Sequence, residues 1–138
     1  MSILEKIQNK EIGTLIQRVS IGLLILFHGI ANMNSNYLFI KSLLNGLSLP
    51  EFFSYGVFIG EVVAPVLIII GYRAKLASLF LTLNMFIAIL MAHASEIFSI
   101  NQYGGWAIEL QALYLFGALV IVFLGAGKYA ISTNSKWD

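Results

Sequence analysis

Phe52–His93 reads FFSYGVFIGEVVAPVLIIIGYRAKLASLFLTLNMFIAILMAH. Two apolar runs, about 52–71 and 74–93, flank the short polar turn Gly71-Tyr72-Arg73-Ala74. Each run holds about 20 residues, the length a helix needs to cross the ~30 Å hydrocarbon core of a bilayer. Inside lipid no water can serve the backbone, so runs of this length are predicted to be helices, and the tight turn makes them an antiparallel hairpin. Shorter alternating segments, the mark of a membrane barrel, are absent.

Working outward, Leu15–Met33 and Trp106–Gly125 are apolar runs of the same kind. The expected architecture is all-α: one membrane domain over residues 1–138, a transmembrane four-helix bundle with spans about 15–33, 52–71, 74–93 and 106–125. The first run carries Arg18 and His28 and no small-residue cleavage pattern, so it reads as a retained span and not a signal peptide. Of the 138 residues, 59% are hydrophobic and 11% charged, where a soluble domain has roughly 45–50% and about 25%. A globule this small cannot bury that much apolar surface, and a bilayer can solvate it. The outer loop about Asn34–Pro50 holds Leu43, Leu44, Leu47 and Leu49 and is expected to lie along the membrane surface.

The net charge of +1 and the lack of a basic block argue against nucleic acid as a partner. No cysteine is present, which removes disulfides, thiolate metal sites and dithiol redox chemistry. Lys6, Lys10, Arg18, Arg73, Lys75, Lys128 and Lys136 fall on one side of the predicted spans and only Lys41 on the other. Basic loops stay inside, so both termini are expected in the cytoplasm of a bacterial inner membrane. Phe52, Phe53, Tyr55, Tyr103 and Trp106 on the outer side, with Tyr72 and Tyr129 on the inner, suit interfacial belts.

Polar groups in lipid are costly, so they face a bundle interior or a wet cavity. Every span has at least one: His28 and Asn32, then Glu61, then Asn84 and His93, then Glu109, Gln111 and Tyr114. Glu61 sits at mid-span, where an unpaired carboxylate costs several kcal/mol, roughly 2.5–3.5 on insertion scales. Pro65, four residues on, removes the helical partner of the Glu61 carbonyl. Gly56, Gly60 and Ala64 make a small-residue stripe beside it that permits close helix approach. The bland alternative is a glutamate that only fastens helices together. His28 and Glu109 lie outward of Glu61, and together they outline a funnel opening to the outer side. His93, nine residues from Asn84, points about 180° away from it on an ideal helix, so it is expected as an interfacial or loop-bonding histidine more than as a ligand.

A di-metal carboxylate site needs Glu-x-x-His motifs that the chain lacks, and no metal is expected. A haem b between the two histidines is disfavoured because both sit near one face. The candidate set is therefore Glu61 and Glu109 as proton-handling groups, with His28, Asn32, Glu61, Glu109 and Asn84 as ligand contacts.

These motifs resemble the DoxX family of small membrane proteins. The resemblance rests on Arg18, Gly22, Phe27, His28 and Gly29 in the first span, and on Glu61 followed by Gly71-Tyr72-Arg73-Ala74. It continues through His93, Gly104-Gly105 and Glu109 to Gly125-Ala-Gly127-Lys128-Tyr129-Ala-Ile-Ser132. Asn32 stands where the resemblance leads one to expect lysine, and Ser132 where it leads one to expect aspartate. It implies a redox neighbourhood: a quinone as ligand, other redox-complex subunits as partners, and, if the chain is an enzyme at all, a quinone-linked oxidoreductase subunit. Two other readings stay open, a structural or assembly subunit without catalysis, alone or as a homo-oligomer, and a proton-coupled transporter of a small solute.

Overall fold

The computed structural model describes Ile3 and residues 8–138. Its helices are α1 (Lys10–Asn34), α2 (Leu38–Gly46), α3 (Glu51–Ile70), α4 (Ala74–Ala92) and α5 (Glu109–Leu124). Helices α1, α3 and α4 are long and apolar enough to cross a membrane. At 16 residues α5 is shorter, about 24 Å at 1.5 Å per residue. The long helices run alternately up and down, and the packed neighbours are α1 with α3, α3 with α4, α4 with α5, and α5 with α1. Below, the upper end is the one holding α2 and the 93–108 loop, and the lower end holds the turn at 71–73.

Helix α1 starts where the Asn9 side chain accepts the Ile12 N–H at 3.1 Å, serving one of the orphan donors of the first turn. Its buried stripe is Thr14, Arg18, Ile21, Gly22, Ile25 and Gly29, the spacing of one helical face. That stripe meets Ile68, Leu81, Ala118 and Ile121, each fully buried in the lower half of the bundle. Small side chains at Ala64, Ala74, Ala77 and Ala118 let the axes approach there.

Helix α3 is irregular for a local reason. Pro65 has no N–H to give the Glu61 carbonyl, and the chain widens to a π turn over Ile59–Val63, where the Ala64 N–H reaches back to Ile59. The 71–73 turn needs positive φ at Gly71 (74°) and Arg73 (50°), and a Cβ at Gly71 would strike Arg18 and Ala130.

The outer loop differs from expectation by containing α2, whose Leu44 is buried under the upper end of the bundle. Helix α1 begins five residues earlier than the apolar run, because polar Lys10–Thr14 forms its capped first turn. Exposed Phe52, Phe53, Tyr55, Tyr103 and Trp106 ring the upper end, and Tyr72 and Tyr129 the lower. Lys6, counted in the charge asymmetry, lies outside the described residues.

Candidate functional site

The π turn places Glu61 on the inner side of α3, 7% exposed. Its Oε2 accepts a 2.6 Å hydrogen bond from the Asn32 amide of α1. Gly29, one turn below Asn32, lies against the Glu61 carbonyl, and any Cβ there would collide with it. Asn84 of α4 stands beside the same carboxyl group, its Nδ2 buried and without a hydrogen-bond partner. Gly60 makes room for it, since a Cβ at Gly60 would strike the Asn84 side chain. Three helices thus meet at one carboxyl group, and two glycines permit it.

Above this point the bundle opens into a cavity of about 700 Å³. Its polar groups are His28, Asn32, Glu61, Asn84, His93, Gln111 and Tyr114; the rest of its wall is aliphatic, aromatic or methionine, apart from Gly56. The His28 ring meets Tyr114 edge to face, with centroids 5.8 Å apart. At the upper rim, His93 Nδ1 lies 2.6 Å from Glu96 Oε2, and its Nε2 lies 3.2 Å from Gln111 Nε2. A neutral ring that donates from Nδ1 to Glu96 and accepts from Gln111 at Nε2 satisfies both contacts. An apolar slot ending on a carboxyl group, amides and an imidazole suits a flat ligand with hydrogen-bonding edges.

Of the residues singled out from the sequence, His28, Asn32, Glu61 and Asn84 line this cavity. Glu109 does not. The last helix begins at Glu109 and not near Trp106, so this carboxylate sits on the first turn, exposed, lying over Gly105. Gln111 and Tyr114, farther along α5, occupy the wall instead. His93 does bond to the loop, through Glu96, and its ring also lines the cavity rim. Its φ of −130° takes it off the helical path, so a rotation of 100° per residue from Asn84 no longer applies, and both residues face the cavity. The expected outward funnel is roofed: Phe39, Ile40, Leu43 and Leu44 of α2, with Leu49, form its upper wall. The composition of that loop held the signal, because Phe39, Ile40, Leu43 and Leu44 share one helical face.

At the lower end Arg18 is fully buried, and its guanidinium donates to the backbone carbonyls of Ala126 and Tyr129. Asp138 gathers a second knot there. Its carboxylate accepts from the Ser132 hydroxyl at 2.7 Å, the Ser135 N–H at 2.7 Å and the Arg73 N–H at 3.1 Å. Among the described residues, no group of three His, Asp or Glu side chains is placed to hold a metal ion.

Three positions of the opening signature thus have a packing reason: Arg18 ties α1 to the segment after α5, Gly22 lies against Ile69 and the Pro65 carbonyl, and Gly29 against Glu61. No curated protein and no solved structure matches the chain. Residues 13–94 match the family model DoxX, a stretch holding the opening signature, Glu61, the 71–74 turn and His93. These 82 of 138 residues are more than half of the chain, and it belongs to the DoxX family of membrane proteins.

Proposed function

We propose that this protein is a quinone-interacting accessory subunit of a membrane redox system, with both termini in the cytoplasm of a bacterial inner membrane. The observation that carries the reading is the cavity of about 700 Å³ ending on the Glu61 carboxyl group. A quinone needs an apolar slot for its ring and hydrogen-bonding or proton-exchanging groups at its two oxygens. In this reading Glu61 exchanges the proton at the inner end, and His28 or Asn84 holds a ring oxygen. Asn84 supports it by standing beside the Glu61 carboxyl group in the cavity wall, where its amide can meet a ligand oxygen.

One observation favours a second reading, that of an assembly subunit. The Glu61 carboxyl group already holds Asn32, and its carbonyl already packs on Gly29, so it fastens two helices without any ligand. Titration of a menaquinone or ubiquinone analogue into nanodiscs separates the two. The parent is expected to bind saturably, His28→Ala and Glu61→Gln each to bind about tenfold more weakly, and Glu109→Gln to bind like the parent. Absence of saturable binding in the parent favours the assembly role.

A further inference from the structure

The upper part of α3, Ser54–Phe58, packs on α1, whereas close packing of α3 on α4 begins only at Ile59–Val63 and continues through Ala64–Ile70. Above the π turn, α3 and α4 therefore part. On α4, Phe80, Asn84, Ile87 and Met91 recur at i, i+4, i+7 and i+11 and share one face. Asn84 packs against Gly60, so this is the face turned to α3. All four line the cavity. Phe80 and Ile87 are nonetheless 50% and 52% exposed, as are Leu83 at 50% and, across the gap, Phe53 at 48%. The cavity wall on the side where α3 and α4 part is thus apolar and half-exposed, while the upper end is roofed by α2.

We propose that the cavity is entered sideways from the bilayer, through a window between α3 and α4 under the α2 roof. Its ligand is an amphiphile with a ring-sized polar head at Glu61 and Asn84 and a long apolar chain that stays in the window, in contact with lipid. This deepens the quinone reading and rests on it for the identity of the head. The wall chemistry supports the chain: the window is apolar throughout, and the hydrogen-bonding groups are withdrawn to the cavity's inner end and its upper rim. A water-borne ligand would instead need a polar approach through the roof, where buried Leu44 stands.

The test has two arms in nanodiscs. In the first, a long-chain quinone and its chainless ring are titrated against the parent, Leu83→Trp in the window, and Phe123→Trp on the exposed outer surface of α5. Leu83→Trp is expected to weaken the long-chain ligand about tenfold and to leave the ring within about twofold, with Phe123→Trp unchanged for both. Equal weakening of both ligands by Leu83→Trp, or none, overturns the window. The second arm needs no quinone. The chain lacks cysteine, so Ala88→Cys, on the cavity wall, takes a single bimane label; Met91→Cys serves if the first variant does not fold. Chain-brominated phosphatidylcholine is expected to quench the label more than aqueous iodide does. Stronger quenching by iodide overturns the side entrance whatever the quinones do. If neither quinone binds, the quinone reading falls, and the bimane result still decides the entrance.

Discussion

Asn32 on α1 donates a 2.6 Å hydrogen bond to Glu61 on α3, and one helical turn below it Gly29 rests on the carbonyl of that same glutamate. One residue is therefore held at both ends of its structure, side chain and backbone, by a single neighbouring helix. Removing the carboxyl group and removing its acidity should have different consequences. Glu61→Gln keeps an oxygen for the Asn32 amide, and folding should be close to that of the parent while proton-coupled function is lost. Glu61→Leu leaves the amide without a partner, which should cost about 1–3 kcal/mol in thermal or denaturant unfolding in detergent. A fully active glutamine variant would leave Glu61 a structural residue only.

The glycines make a sharper contrast. Gly29→Ala should destabilise by about 1–3 kcal/mol, because its methyl group meets backbone that cannot swing aside. Gly56→Ala, with open space around its Cβ direction, should be neutral or add about 0.5–1 kcal/mol through helix propensity. Equal melting shifts for the two would mean that the α1–α3 contact is looser than described.

Asp138 gives a pH dependence at the lower end. Burial works to raise its pKa, but hydrogen bonds from Ser132, Ser135 and the Arg73 N–H, with the Arg73 charge, outweigh it and hold the carboxyl below its ordinary value of 3.8. A depressed carboxyl pKa adds stability that is present above the ordinary value and is lost as pH falls through the folded one. The 131–138 segment should therefore stay docked from neutrality to about pH 4 and loosen below it. Trp137 anisotropy in a Trp106→Phe background reads this directly. Asp138→Asn should lower the anisotropy at neutral pH and remove the acid transition; a transition centred near pH 6 would point to another group.

Reporter fusions test orientation. Fusions before Lys10, within Tyr72–Lys75 and after Lys136 should all report cytoplasm, as the distribution of basic residues requires. A reporter after Lys136 active only outside the cytoplasm would invert the bundle and the quinone leaflet with it.

The long helices were legible because hydropathy and length suffice for them, and the 71–74 turn because Gly71 allows its positive φ. Glu61, Asn32, Asn84 and His28 were legible as candidates because polarity in an apolar run is conspicuous. The misplacements came from helix ends. Glu109 stands out in the sequence by its charge, yet a helix start three residues after Trp106 puts it on an exposed first turn. Ideal helical rotation turns His93 away from Asn84, and that rotation fails at a residue whose φ has already left the helix. Helix α2 was seen as four leucines near a membrane but not as a roof, because a nine-residue helix owes its stability to tertiary packing.

The buried Arg18 has a consequence for biogenesis. Its carbonyl partners, Ala126 and Tyr129, come from the segment after α5 and leave the ribosome after all the long helices. The first helix must therefore enter the membrane with its guanidinium still hydrated or at the headgroups, and it can settle to its final depth only when the fourth long helix has been delivered. Helix α1 is thus made well before the carbonyls that receive its cation, and its place in the bundle is completed only when residues 126–129 arrive.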